Sequence, residues 1–262
     1  MTPRRISVEK NDHVLLIGLN RPEKRNAFDF EMYRDVSRAY GELHHDPDLR
    51  CGLLFAHGDH FTGGLDLEEW APFFSRGRFP DLPNNSIDPL GLDEENRLCK
   101  PMVMAVHGLC LTIGIELLLA TDVRVAADNT RFGQIEIKRG IYPVGGATIR
   151  LMREVGWGNA MRYLLTADEI SAEEAFRIGL VQELTEPGKQ MDRALEIAAT
   201  IAKQSPLGVM ATLASARLAR ARGEKAAVDR LLPDLIPLME SEDFKEGIQS
   251  FFERRDADFK GR

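Results

Sequence analysis

Two glutamates stand where the surrounding residues leave little reason for a charge. Glu116 lies inside the apolar run "LCLTIGIELLLATD", and Glu136 follows twenty positions later, in "DNTRFGQIEIKRGIYPVGG". A buried carboxylate is costly unless it is hydrogen-bonded, neutralised or used in chemistry. Two carboxylates at one site oppose each other's ionisation, so one can serve as a general acid while the other serves as a base. Such a pair suits proton transfer next to a carbonyl group.

Three segments share one construction, a strand that leads into a glycine-containing turn: Phe61 to Asp66, His107 to Glu116, and Phe132 to Gly146. Backbone N–H groups at a helix start lack intrahelical partners and favour negative charge, so two such turns can form a two-donor pocket for an oxyanion. A simpler interpretation stays open at this point. Glu116 could cap its own helix, and Glu136 could be a solvated loop residue.

The first half of the chain alternates strand and helix patterns. Apolar and β-branched runs predict a hairpin of two strands in "ISVEK" and "HVLLIGL", and helical spacing follows from Asp29. A strand is predicted at Cys51 to Ala56, followed by a short helix. The proline-containing segment Trp70 to Leu92 is predicted to be a long loop, which is usually functional or mobile.

The second half continues the alternation and then becomes helical. The strand "MVMAVHG" gives way to a helix near Thr112, and the strand "DVRVAA" is followed by the segment that carries Glu136, predicted to be a loop. Helices are predicted from Ala147 and Trp157. Ser171 and Glu174 form a capping box, and every segment after Pro187 has helical periodicity. The order of elements predicts an α/β fold with parallel strands and a helical C-terminal region.

Composition narrows the function classes. Thirty-four basic and 41 acidic residues give a net charge of −7, and no basic stripe indicates a nucleic-acid partner. The sequence has no apolar run near the roughly 18 residues of a membrane span, so no membrane partner is expected. Three cysteines without C-x-x-C spacing indicate reduced thiols in a cytoplasmic protein.

Several catalytic and metal-binding motifs are missing from the sequence. It has no phosphate-binding loop, dinucleotide fingerprint, zinc-peptidase motif or serine-hydrolase elbow. The cluster His44, His45, Asp46 and Asp48 has metal-ligand residue types, but adjacent residues at a helix end point apart. A solvated turn is the preferred interpretation, and no metal site is expected.

Five segments together span nearly the whole chain: "LNRPEKRNAF", "HFTGGLDLEEW", the long stretch from "KPMVMAVHG" to "GGATIRL", "EEAFRIGLVQEL" and the tail "EGIQSFFERRDADFKGR". In this order and spacing they resemble the enoyl-CoA hydratase/isomerase (crotonase) superfamily. The resemblance implies a crotonase-like (ClpP/crotonase) spiral of ββα units over residues 1–186 and a helical oligomerisation region over 187–262. It also implies a homotrimer or dimer of trimers that binds acyl-CoA thioesters and needs no cofactor beyond the CoA of its substrate.

The resemblance assigns roles to particular residues. It places the oxyanion donors on the backbone N–H groups of Leu65 and Ile113. Glu136 would exchange the proton at the α-carbon, and Glu116 would activate the water that adds at the β-carbon. The residues expected to contact CoA or substrate are Lys24, Arg25, Ala27, Gly64, Asp66, Leu67, Phe251 and Arg254, the last two across a subunit boundary. The candidate acyl-pocket residues are Trp70, Phe73, Phe74 and Val144, although these aromatic side chains could equally pack the loop.

Most departures from the family pattern place a larger side chain where the family usually has a small one. Thr112, Ile113 and Gly114 replace a glycine triplet, Leu65 replaces alanine, and Val144 replaces glycine. Each change keeps a backbone N–H but is expected to narrow or reshape the pocket. Glu68 replaces the usual lysine, which removes one expected phosphate contact.

Both glutamates together favour hydration of a trans-2-enoyl-CoA. The alternatives are another crotonase-type enzyme (isomerase, hydrolase or decarboxylase) and a non-catalytic acyl-CoA binder whose bulky residues exclude water. The sequence does not identify the acyl group.

Overall fold

The structure, a computed structural model, describes residues 4–262 as alternating strands and helices followed by a helical C-terminal region. The strands are β1 Ile6–Asn11, β2 Val14–Leu19, β3 Cys51–Ala56, β4 Met102–Val106, β5 Leu109–Leu111, β6 Val123–Ala127, β7 Arg131–Gly133, β8 Ile170–Ser171 and β9 Glu183–Thr185. The helices are α1 Phe30–His45, α2 Leu67–Phe74, α3 Ile113–Leu118, α4 Ala147–Val155, α5 Trp157–Thr166, α6 Ala172–Arg177, α7 Gln190–Ala202, α8 Pro206–Arg222, α9 Glu224–Val228, α10 Leu231–Glu240 and α11 Glu242–Glu253. Pro22–Lys24 and Glu136–Arg139 form 3-10 turns.

The strands form two sheets. The larger has the order β1-β2-β3-β4-β6-β9, with β1 antiparallel to β2 and every other pair parallel. The smaller has the order β5-β7-β8, with β5 and β7 parallel. The predicted hairpin and the parallel strands are confirmed.

The smaller sheet positions the two glutamates. Parallel strands end at the same edge, so the turns that follow β5 and β7 lie side by side. The amide of Thr112, after β5, donates a hydrogen bond to the carbonyl of Gly133, the last residue of β7 (2.8 Å). Glu116 and Glu136 follow these two turns, which explains how residues twenty positions apart reach one site.

The segment that carries Glu136 was predicted to be a loop, and this prediction is wrong in part. It contains β7 and the 3-10 turn Glu136–Arg139. A three-residue strand is too short to show a period of two, and β7 forms because it pairs with β5 and β8, which are distant in sequence. The helix α2 likewise extends to Phe74, inside the predicted loop Trp70 to Leu92.

Helix α7 covers one face of the larger sheet. Its small residues Ala194, Ala198 and Ala202 pack with Leu53 and Val103 of the sheet. The helical character expected after Pro187 is confirmed by α7 to α11. The domain boundary between residues 186 and 187 stays a prediction. Helix α7 follows this boundary but packs on the sheet.

Helix caps match the sequence signals. The Asp29 side chain accepts a hydrogen bond from the Met32 amide at the start of α1 (2.8 Å). Ser171 accepts one from the Glu174 amide (3.2 Å), which forms one half of the predicted capping box. The Glu174 carboxylate instead binds Arg177, a charged partner that makes a stronger hydrogen bond. Over residues 4–262, every helix is too short or too polar to cross a membrane.

Candidate active site

Glu116 lies in the first turn of α3 and is 5% exposed. Its Oε1 accepts hydrogen bonds from the amides of Gly145 (2.6 Å) and Ala147 (3.4 Å), where α4 begins. The donors belong to another helix, so the interpretation that Glu116 caps its own helix does not hold. The start of α4 supplies unpaired N–H groups and a partial positive charge that stabilise a carboxylate.

Only glycine fits at position 145. A Cβ atom built on Gly145 would lie 2.3 Å from Oε2 of Glu116, which is far inside contact distance. The missing side chain therefore lets the backbone approach the carboxylate closely enough to donate a short hydrogen bond.

Glu136 opens the 3-10 turn after β7 and is half-buried. Its Oε2 is shielded from solvent and has no hydrogen-bond partner among the described residues. It is therefore not a freely solvated loop residue. A buried, unpaired carboxylate oxygen favours the protonated form of the group.

Both carboxyl groups titrate near neutrality. Burial and, to a smaller extent, the charge of Glu136 raise the pKa of Glu116 to about 7, although the amides of Ala147 and Gly145 lower it. Burial raises the pKa of Glu136 to about 7 as well. Two backbone amides stabilise the ionised form of Glu116. The carboxyl group of Glu136 is supported only by its own backbone amide, and its Oε2 is unpaired within residues 4–262. The arrangement favours Glu116 as the base and Glu136 as the acid.

The two expected oxyanion donors lie on adjoining turns. Thr62, three residues before Leu65, forms a parallel bridge with Cys110, three residues before Ile113. Within residues 4–262 the amides of Leu65 and Ile113 donate to no other group of the chain. Both N–H groups are therefore available for an oxygen bound between the turns.

Ile113 was expected to narrow or reshape the pocket, and this effect stays a prediction. Its side chain is 2% exposed and belongs to the main hydrophobic core, and the half-buried Leu65 packs against the same core. The Ile113 side chain therefore adds its volume to the core. Val144, beside Gly145, is 41% exposed and is the most exposed of the three bulky residues.

The predicted CoA loop adjoins the first oxyanion turn. The amide of Gly63 donates to the Arg25 carbonyl (2.7 Å), and the Phe28 amide donates to the Gly64 carbonyl (2.9 Å). Lys24 and Arg25 are exposed, Leu67 is partly exposed, and Ala27 is half-buried. The Asp66 carboxylate accepts a hydrogen bond from Arg21 (2.8 Å), so it holds the two loops together.

The Trp70 side chain packs in the hydrophobic core. Its ring is fully buried, contacts Phe30 and Tyr33 edge to face, and donates its indole N–H to the Phe28 carbonyl (2.9 Å). These contacts favour the alternative that Trp70 packs the loop, and its place in the acyl pocket stays a prediction. Phe73 and Phe74 are half-buried beside it.

Phe251 and Arg254 lie at the end of α11 and are exposed on the protomer. The structure does not bring them to the glutamates within one chain. Their predicted contact with CoA across a subunit boundary stays a prediction.

Two polar side chains near the glutamates, those of Gln134 and Thr112, were given no functional role from the sequence. Gln134 is 2% exposed, and both its amide oxygen and its nitrogen lack hydrogen-bond partners in the described part of the chain. The hydroxyl of Thr112 is also buried and unpaired. An amide inside the apolar pattern "RFGQIEI" is the signal that could have identified Gln134.

The family model for enoyl-CoA hydratase/isomerase matches residues 9–262. The chain belongs to the enoyl-CoA hydratase/isomerase family. The resemblance stated from the sequence is thereby confirmed.

Individual family members match over nearly their full length. Enoyl-CoA hydratase EchA19 of Mycobacterium tuberculosis is 36% identical, with 97% of this chain and 96% of the relative covered. The short-chain-enoyl-CoA hydratase of Clostridium acetobutylicum is 34% identical, with 98% of each covered. The solved structure of a probable enoyl-CoA hydratase/isomerase from Mycobacterium abscessus has a TM-score of 0.95 at 48% identity, with 98% of this chain and 99% of that one covered. The crotonase-like fold is confirmed.

Glu116→Gln should change how stability depends on pH. Burial raises the pKa of Glu116 from 4.5 to about 7, so the folded protein binds more protons than the unfolded chain between these values, and stability falls as pH rises through this window. Glutamine keeps an oxygen for the Gly145 amide and removes this proton. The melting temperature of the variant relative to wild type should therefore be higher at about pH 8 than at about pH 4.5.

Glu173→Gln, at an exposed position of α6, is the matched control and should leave the pH dependence of the melting temperature as it is in wild type. If the melting temperatures of wild type and Glu116→Gln instead change with pH by the same amount across this range, Glu116 titrates as an ordinary solvated carboxyl group.

Proposed function

We propose that this chain is an enoyl-CoA hydratase, which adds water across the double bond of a trans-2-enoyl-CoA. The observation that carries the proposal is the pair of carboxyl groups in unequal surroundings: Glu116 is hydrogen-bonded by backbone amides, and Glu136 is left with an unpaired buried oxygen. Hydration needs one group that accepts a proton from water and one that donates a proton to carbon.

The reaction follows from these positions. The water oxygen bonds to the β-carbon while Glu116 accepts its proton, and the electrons of the double bond move to the thioester oxygen. The N–H groups of Leu65 and Ile113 stabilise that oxygen as an enolate. Glu136 then gives its proton to the α-carbon, and proton exchange with solvent restores both carboxyl groups. Loss of one such donor typically costs 10²–10³-fold in kcat, about 2.7–4 kcal/mol.

The relatives support the same reaction. Besides the two hydratases named above, the crotonyl-CoA hydratase of Syntrophomonas wolfei is 33% identical over 99% of both chains. The binder alternative depended on bulky side chains that exclude water, and the buried position of Ile113 removes most of that argument.

The proposal also covers how CoA binds, whether a metal ion is needed and where in the cell the protein is located. CoA binds along the loops of Lys24 to Ala27 and Gly64 to Leu67, and its thioester is the only cofactor-like group required. Among residues 4–262 there is no group of three histidine, cysteine, aspartate or glutamate side chains that could hold a metal ion. Cys51, Cys99 and Cys110 form no disulfide, which supports a reducing cytoplasmic location.

We propose in addition a homotrimer or dimer of trimers. Helix α10 presents apolar side chains to solvent, a pattern that marks protein interfaces. The exposed apolar residues of α10 are Leu231, Leu232, Leu235, Ile236 and Met239.

Leu232→Asp should weaken assembly, because Leu232 is 73% exposed on the protomer and would place a charge in the proposed interface. Light scattering after size-exclusion chromatography measures the mass. Wild type is expected as a trimer or hexamer and the variant as a smaller species, while Leu165→Asp on α5 serves as the exposed-leucine control. A monomeric wild type would contradict the proposed assembly.

The proposed activity is tested with the ultraviolet absorbance of the conjugated thioester. Addition of the enzyme to crotonyl-CoA or to longer 2-enoyl-CoAs should lower this absorbance as the double bond is hydrated. Tight binding of CoA esters without loss of absorbance at any chain length would instead identify a binder.

Glu136→Gln should lower kcat by roughly 10²-fold or more, since glutamine cannot donate the proton to the α-carbon. Initial rates with crotonyl-CoA measure the effect, and Glu169→Gln, an exposed glutamate near β7, is the control. A near-normal rate for Glu136→Gln would exclude Glu136 as the acid.

A further inference from the structure

Thr112 adopts a backbone conformation that L-residues rarely occupy. Its φ is 50° and its ψ is −110°, and it immediately precedes α3. A β-branched residue is strained there, whereas glycine is not. Strain of this kind concentrates at functional sites, where the surrounding structure maintains it.

This conformation directs the Thr112 side chain between the two oxyanion turns. At a ψ of −110° the Cβ atom of an L-residue nearly eclipses the next amide nitrogen, so the side chain lies beside the N–H of Ile113. On its other side the hydroxyl faces Gly64: a Cβ built on Gly64 would lie 2.5 Å from Oγ1 of Thr112. Gly64 directly precedes Leu65, the residue with the other donor.

The hydroxyl is shielded from water and has no hydrogen-bond partner within residues 4–262. A buried hydroxyl normally finds a partner, because an unmade hydrogen bond is costly. The adjacent amides of Leu65 and Ile113 are donors, so a group that satisfies all three must be an acceptor. An oxygen that carries negative charge is the acceptor that gains most from three convergent donors.

We propose that the Thr112 hydroxyl is a third hydrogen-bond donor to the thioester oxygen of the bound substrate. This proposal rests on the proposed hydration reaction. The proton stays on the threonine, and the hydrogen bond strengthens as the oxygen gains charge in the enolate. A hydroxyl can rotate towards the oxygen, whereas the two backbone donors are fixed by their turns.

The decisive comparison is Thr112→Val against Thr112→Ser. Valine keeps the β-branched shape and the backbone strain but lacks the hydroxyl, and serine keeps the hydroxyl. Thr112→Val should lower kcat for crotonyl-CoA about tenfold or more with KM changed less than about twofold, because the lost interaction strengthens in the transition state. Thr112→Ser should stay within about threefold of wild type.

A second readout does not depend on turnover. Infrared spectra of bound butyryl-CoA, labelled with ¹³C at the thioester carbonyl, report how strongly the oxygen is polarised. The carbonyl band should lie at lower frequency in wild type and Thr112→Ser than in Thr112→Val. If wild type hydrates no enoyl-CoA, the proposed function fails, and this spectrum still tests whether Thr112 contacts the oxygen.

The outcomes distinguish a Thr112 hydroxyl that donates to the substrate from one that only keeps Gly64 at a distance. If the hydroxyl only holds Gly64 at a distance, Thr112→Val will match wild type in rate and carbonyl band, and the proposal is overturned. If Thr112→Val does not fold, Thr112→Ser and Thr112→Ala form the substitute pair. Equal rates and equal carbonyl bands for serine and alanine would also overturn it.

Discussion

The hydrogen bond from the Gly145 amide to the Glu116 carboxylate connects the parts of the structure on which the chemistry depends. It joins α3, which follows the second oxyanion turn, to α4, which follows the turn of Glu136. Without it, a carboxylate that is 5% exposed would lack its main donor, and a buried unpaired charge is strongly destabilising. The same bond keeps the carboxyl group in place while burial keeps its pKa near neutrality.

The smaller sheet explains why this bond can form. Parallel pairing of β5 with β7 aligns the ends of both strands, and the contact between Thr112 and Gly133 joins the turns that follow. The bridge between Thr62 and Cys110 brings the first oxyanion turn to the same edge. Short strands therefore bring together the two glutamates and the two amides proposed as oxyanion donors, while the six-stranded sheet and α7 supply the core behind them.

Patterns that depend on neighbouring residues were predictable from the sequence. The hairpin, strand Cys51–Ala56 and the cap at Ser171 depend on local periodicity or turn chemistry, and each is present. The family resemblance placed Glu116 and Glu136 at one site, and the effect of the Glu136 charge on the pKa of Glu116 agrees with that proximity, while their catalytic roles stay predictions. Strand β7 and the buried Trp70 depend on contacts that are distant in sequence, which no local pattern reveals.

In the proposed hydration reaction Glu116 must be a buried base that titrates near neutral pH. Its carboxyl carbon, labelled with ¹³C and assigned by its absence in Glu116→Gln, can be followed by nuclear magnetic resonance as pH is varied. The structure predicts a midpoint near 7 in the folded wild-type protein. A midpoint near 4.5, the value of a solvated glutamate, would contradict the central claim that burial and the Gly145 amide prepare this carboxyl group for catalysis.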